Sequence, residues 1–399
     1  MTPVDFTPFA WAKCFTEDTR LPPNLDMVQA QHWRWSRERY VALKVNAVNR
    51  RSGQNTAENE LAMLKHISSV NKKHQGWSFV RRLSGSFTID VAIGTHLCLV
   101  LEPLREPLWL YCRSTDWRSD LKPDNILVKL EDLAILDRDA LDEYQNPLPQ
   151  KITNDRTIYL SRNNYGPFSI PAGIVQIADF GYSKSGKTHH SGCIQAEAYR
   201  APEVILDSGY SYSADIWSLG VMMWDLLEGK RLFDPIDKRI SDRYDDSVHL
   251  AQLTGLLGPP PHDMLRSGQR TSMFYEPNGN FKHPELIPQD LKFENTVSMI
   301  SGQEKTNFLE FVKKMVRWNP VERSTASDLL KDPWLYEDFA AEHPMGIPQV
   351  SFALIKRSDL VRLNDEGKVI DHGSYKLVNQ SAFLIHAAGK QDMLHGYIT

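Results

Sequence analysis

The chain is short of several things, and each shortage closes off a class of protein. It has four cysteines in 399 residues. Cys14, Cys98, Cys112 and Cys193 are far apart and show no metal-ligand spacing. This excludes a disulfide-stapled secreted scaffold or a zinc module and fits a reduced intracellular protein. No apolar run approaches the roughly 20 residues that span a bilayer. The N-terminus, with Asp5, lacks the basic-then-apolar pattern of a secretory signal. The expectation is a soluble monomer in the cytoplasm, the nucleus or both, with no membrane partner. Excess charge is also missing. The net charge is −4, which gives no footing for direct nucleic-acid binding and is too small to argue for a basic substrate. Internal repeats are absent. The last shortage is local: no glycine precedes Gly53.

What remains is ordinary globular material, 41% hydrophobic and 24% charged, long enough for a large core in two or three lobes. Tyr40 to Val45 reads as a strand. Thr56 to Ile67 reads as a helix capped at Thr56, with Leu61, Leu64 and Ile67 at helical spacing. Phe87 to Asp90 and Leu97 to Leu101 read as strands around a Gly94-Thr95 turn. Residues 130–172 are polar and turn-rich and read as a long insert or loop. Ala214 to Leu227 is apolar on nearly every face and predicts a buried helix. Shorter helices are expected over Ser247–Leu257, Asn307–Trp318 and Thr325–Leu330.

Four short motifs follow one another on this framework. They are Val41-Ala42-Leu43-Lys44, Asp120-Leu121-Lys122-Pro123-Asp124-Asn125, Asp179-Phe180-Gly181 and Ala201-Pro202-Glu203. Any one could arise by chance. In this order they match the protein-kinase signature set, so the chain resembles a eukaryotic-type serine/threonine protein kinase. The resemblance implies an α+β, bilobal fold with a small, mainly β N-lobe and a larger, mainly α C-lobe. It divides the chain into an irregular segment 1–39, a partial N-lobe 40–102, a C-lobe 103–340 with the insert at about 130–172, and a tail 341–399.

The resemblance also assigns roles. Lys44 would contact the α- and β-phosphates of ATP and pair with a helix carboxylate, for which Glu60 is the choice and Glu58 the alternative on the same helix. Asp120 would accept the proton of the substrate hydroxyl, and Lys122 would meet the γ-phosphate. Asn125 and Asp179 would hold Mg²⁺, a hard cation that takes oxygen ligands. Leu101 and Glu102 would form the inner edge of the inter-lobe hinge and help seat the nucleotide. Glu203 would pair structurally with Arg323, and Asp215 would brace the catalytic loop. The strings Asp120 to Val128 and Ile194 to Glu203, with the long insert, are similar to fungal SR-protein kinases. That narrower likeness implies Arg-Ser-rich splicing factors as protein substrates.

Two departures stand against this. The family's glycine-rich loop should precede Lys44, where glycines let backbone N–H groups approach phosphates. Gln31 to Ser36 stands there instead. From Glu102 to Asp120 is a step of only 18 positions (120 − 102), and the family has two helices in that interval. Helices average about 11–12 residues, so two do not fit. Arg118-Ser119 also replaces the family's His-bearing lead-in to Asp120. These gaps open a second reading, a catalytically impaired kinase-like scaffold or a truncated kinase product. A small-molecule kinase is disfavoured by Tyr199 to Glu203, which belongs to a protein-substrate platform.

Overall fold

The computed structural model describes residues 31–36, 39–46, 56–70, 72–91, 94–107, 125–152, 157–159, 165, 175–184, 190–239 and 241–337. In chain order the elements are β1 (Gln31–Ser36), β2 (Arg39–Val45), α1 (Thr56–Ser69), β3 (Leu83–Val91), β4 (Gly94–Leu101), β5 (Leu104–Pro107), β6 (Ile126–Lys129), α2 (Ala134–Gln145), β7 (Gln150–Ile152), β8 (Thr157–Tyr159) and β9 (Val175–Ile177). A helical series follows: α3 (Pro202–Ile205), α4 (Ser213–Glu228), α5 (Asp246–Leu257), α6 (His262–Ser267), α7 (Thr271–Phe274), α8 (Phe293–Thr296), α9 (Gly302–Val312) and α10 (Ala326–Leu329). The described residues within Met1–Glu106 and Leu127–Ser183 form one compact unit. Those within Pro107–Ile126 and Lys184–Thr399 form another.

In the first unit a four-stranded sheet runs in the order β1-β2-β4-β3, with every pairing antiparallel. Side chains alternate across a strand, so Val41, Leu43 and Val45 of β2 share one face. They form a core with Cys98 and Val100 of β4, and Phe87 and Ile89 of β3 pack against it. The same alternation turns Ala42 and Lys44 to the other face. Helix α1 buries Glu60, Leu64 and Ile67, spaced four and three apart as a helical face requires. Leu61 is only half-buried. A second sheet, β5-β6-β9, buries Ile126, Val128 and Val175.

Several expectations are corrected here. Gln31 to Ser36 is a strand paired with β2, so segment 1–39 is not wholly irregular. Gly94 and Thr95 are not a turn. They lie in β4, paired with Val91 and Asp90 of β3, and the Thr95 hydroxyl donates to Asp90 across the strands at 2.7 Å. The insert is not all loop. It contains α2 and the β7–β8 hairpin. Helix α2 buries only Ile135 and Leu136, too few apolar positions to show a period among the surrounding turn residues. It packs with Leu130 and Tyr165 against Tyr40, whose hydroxyl donates to Asp137.

The second unit is organised on α4, buried along nearly its whole length as expected. Trp217 stacks on Phe233 at 6.4 Å between ring centroids, and Trp224 sits between Phe293 and Phe308. Gly229, at φ 62°, ends the helix in the left-handed conformation that glycine adopts without steric cost. Helix α5 is capped by Asp245, whose carboxylate accepts from the backbone N–H groups of Ser247 and Val248. Helix α9 starts and stops earlier than the expected 307–318. Its first turn is polar and carries no apolar signal. After Val312 the chain tightens to i→i−3 bonds, from Lys314 N–H to Phe311 O and from Met315 N–H to Val312 O. Residues 338–399, including the expected tail, lie outside the described residues.

Candidate active site

Strand β2 aims Lys44 at α1, and the α1 periodicity aims Glu60 back at it. The ammonium donates to both carboxylate oxygens of Glu60, at 2.9 and 2.8 Å. It also reaches Asp179 Oδ1 at 3.1 Å. Glu60 is 3% exposed, whereas Glu58, the alternative partner, faces solvent. Burial pushes the Glu60 carboxyl above its usual range, and the Lys44 ammonium pulls it back toward the charged form. Asp179 follows β9 at φ 61°, a left-handed position that Asp tolerates better than most residues. Its carboxylate is one-third exposed. The structure thus brings together three residues separated by 16 and 135 positions in the chain.

Leu101 is buried at the end of β4, and Glu102 follows it. Around Glu102 is a residue that the sequence analysis missed. Arg81 is buried and donates from Nε and Nη2 to the Glu102 backbone oxygen at 3.2 and 2.8 Å. Burial lowers the guanidinium pKa to about 10, with the Glu102, Glu60 and Asp179 charges opposing that shift. The cation therefore persists at neutral pH, within the field of the Lys44 cluster. Its backbone N–H also donates to Ile177 O at 2.9 Å, tying it to the strand that leads into Asp179. No motif or period marks Arg81; an adjacent pair of arginines reads as surface charge. The Glu102 carboxylate meets Arg82 and Lys129, each at 3.3 Å. Burial works to raise its pKa, but these two cations hold it below the usual range.

Asn125 stands half-buried immediately before β6. Asp120 and Lys122 lie outside the described residues, as does all but the start of the short interval in which two helices were not expected to fit; that start carries β5. In the second unit, the expected Glu203–Arg323 pair forms through two bonds of 2.6 Å. Asp215 is half-buried in the first turn of α4. Arg200 donates to Asp246 at 3.2 Å, and Asp246 also accepts from Arg270 and from the Tyr244 hydroxyl, each at 2.7 Å. Gln195, at φ 66°, donates to Ala214 O and accepts from Ala201 N–H, fastening the Tyr199-to-Glu203 segment to α4.

The chain is similar to known proteins over most of its length. The protein kinase domain family model matches residues 109–335, more than half of the chain. A serine/threonine protein kinase of Aspergillus fumigatus is 34% identical over 328 residues, covering 74% of this chain and 78% of that protein. Serine/threonine-protein kinase SRPK of Physarum polycephalum is 25% identical over 346 residues, covering 74% of this chain and 80% of its own length. A crystal structure of a kinase domain superposes with a TM-score of 0.55 at 20% identity, over 80% of this chain and 94% of that one. This last likeness is one of fold.

Proposed function

The chain belongs to the protein kinase family as a serine/threonine kinase, an ATP-dependent phosphotransferase, and on that basis we propose that Lys44, Glu60 and Asp179 form its nucleotide site. The observation that carries this reading is the Lys44 ammonium, held between Glu60 and Asp179 at 2.8 and 3.1 Å. A buried carboxylate behind the lysine fixes the ammonium in one place, where it would neutralise phosphate charge without reorganising. Asp179 and Asn125 offer oxygen donors, the chemistry that Mg²⁺ requires, and the partial exposure of Asp179 leaves its carboxylate open to a cation. Bound Mg²⁺ and ATP would supply the phosphoryl group and the neutralisation of its charge.

The string Asp120 to Asn125 supports the remaining roles. Asp120 would orient the substrate hydroxyl and take its proton, Lys122 would meet the γ-phosphate, and Leu101 with Glu102 would border the base. No described helix is long and apolar enough to cross a membrane. We further propose Arg-Ser-rich splicing factors as the protein substrates and the cytoplasm or nucleus as the site of action, on the likeness of the strings Asp120 to Val128 and Ile194 to Glu203 to SR-protein kinases. The absence of glycine before Gly53, with β1 in that place, favours a second reading, a catalytically impaired scaffold.

Transfer of labelled γ-phosphate from Mg–ATP to an Arg-Ser repeat peptide tests the choice. Lys44→Met, Asp120→Asn and Asp179→Asn should each lower kcat/KM by roughly a hundredfold or more. Folded wild-type protein that transfers nothing would favour the scaffold or truncated-product reading instead.

A further inference from the structure

Helix α1 carries an asparagine immediately before Glu60, and its side chain reaches the chain beyond Asp179. Asn59 Nδ2 donates to Gly181 O at 2.7 Å and to Ser183 O at 3.0 Å. Two carbonyl acceptors fix which way the amide points, because its oxygen end would set lone pair against lone pair. The segment it holds is a tight turn, closed by Ser183 N–H on Phe180 O at 3.1 Å, with Phe180 and Gly181 buried. A Cβ placed on Gly181 would touch Asp179 Oδ1 at 3.7 Å and Thr56 O at 3.8 Å, so the turn lies against the first turn of α1.

Consecutive α1 residues therefore grip the Asp179 region from two sides. Glu60 holds Lys44, which holds the Asp179 carboxylate. Asn59 holds the backbone just after it. These contacts close a ring from α1 through β2 to the turn and back. If α1 rotates so that Glu60 leaves Lys44, Asn59 must leave Gly181 and Ser183 as well, since neighbouring helical residues move together.

We propose that Asn59 is a positioning residue that couples the orientation of α1 to the conformation of the Asp179-Phe180-Gly181 turn. The proposal rests on the reading of Lys44, Glu60 and Asp179 as the nucleotide site, yet its test does not require nucleotide. Amide hydrogen exchange is measured on the full-length chain without ATP, in wild type, Asn59→Asp and Asn59→Gln. Aspartate keeps the shape but removes both donors, whereas glutamine keeps an amide on a longer stem. Asn59→Asp should speed exchange of the amides in 179–184 about tenfold, the scale of losing one or two hydrogen bonds, with strands β2 to β4 unchanged. Asn59→Gln should restore part of that protection. Unchanged exchange at 179–184 would overturn the proposal, and so would a uniform rise across β2 to β4, which marks a merely structural role. Should Asn59→Asp fail to fold, Asn59→Ser decides by the same readout.

A second measurement separates this proposal from the function it builds on. The Kd of Mg–ATP should rise several-fold in Asn59→Asp while the peptide KM stays constant. Wild-type protein that binds no Mg–ATP would sink the nucleotide-site reading and leave the exchange result to judge the coupling.

Discussion

Glu203 and Arg323 are both fully buried and joined by two hydrogen bonds of 2.6 Å, and Arg323 donates further to Ser213 O and Trp318 O. The attraction in such a pair is largely offset by the cost of taking both charges out of water, but an orphaned partner is expensive. Glu203→Gln should therefore cost about 3–5 kcal/mol in urea unfolding. A double apolar replacement, Glu203→Leu with Arg323→Met, should cost much less than the sum of the single changes. Asp225 is another buried group with a measurable signature. It lies on α4 at 3% exposure, and burial pushes its pKa up to about 7, against smaller downward pulls from Tyr199 and Arg231. An unfolded Asp titrates near 4. Between these values the unfolded chain has lost the proton and the folded chain keeps it, so stability falls as pH rises and levels off above about 7. From pH 5 to 7 the loss should approach about 1 kcal/mol per pH unit. Asp225→Asn should flatten that slope in a pH series of unfolding curves. Glu203 and Arg323 were readable in the sequence because each sits in a motif. Asp225 was not, since one acidic residue in an apolar helix does not reveal how completely it is enclosed.

Helix α4 is the element on which the second unit is built, and Gly220 marks where another segment comes closest. A Cβ there would stand 2.8 Å from Met315 Cβ and 2.8 Å from Val316 Cγ2. Alanine favours a helix over glycine by about 1 kcal/mol, but overpacking a close contact costs about 1–3 kcal/mol. Gly220→Ala should therefore lower the melting temperature, although the same change on an exposed helix would raise it. Elements with a strong apolar signature, such as α4 and the strands carrying Val41 to Val45 and Leu97 to Leu101, were legible before the fold was known. Elements built largely of polar residues were not. Helix α2 announced itself through only two buried side chains, and the first turn of α9 through none.

Each of the two compact units has its own core, one centred on the β2–β4 face and the other on α4. Destabilisation should respect that division. Arg323→Ala removes a cation that ties Glu203, Ser213 and Trp318 together in the second unit. Hydrogen exchange should accelerate in α4 and α10, while the amides of β4, which belong to the other unit, keep their protection. Equal loss of protection in β4 would show that the two cores unfold as one.

Order along the chain was enough to identify the family. Lys44, Asp120, Asn125, Asp179, Glu203 and Arg323 sit in short strings whose chemistry is local, and a strand's alternation already turned Lys44 away from the Val41–Leu43–Val45 face. Tertiary structure was needed for every feature that depends on residues distant in sequence. It seated Glu60, the expected partner, on Lys44 and left Glu58 facing solvent, because only one of the two helix positions faces β2. It enclosed Arg81 beside the Glu102 backbone, and it carried the Asn59 amide to Gly181 and Ser183. A hydrogen bond between residues more than a hundred positions apart leaves no periodic trace, since neither partner's neighbours are constrained by it. Only the packing of α1 against the sheet and the turn brings the two ends within 3 Å.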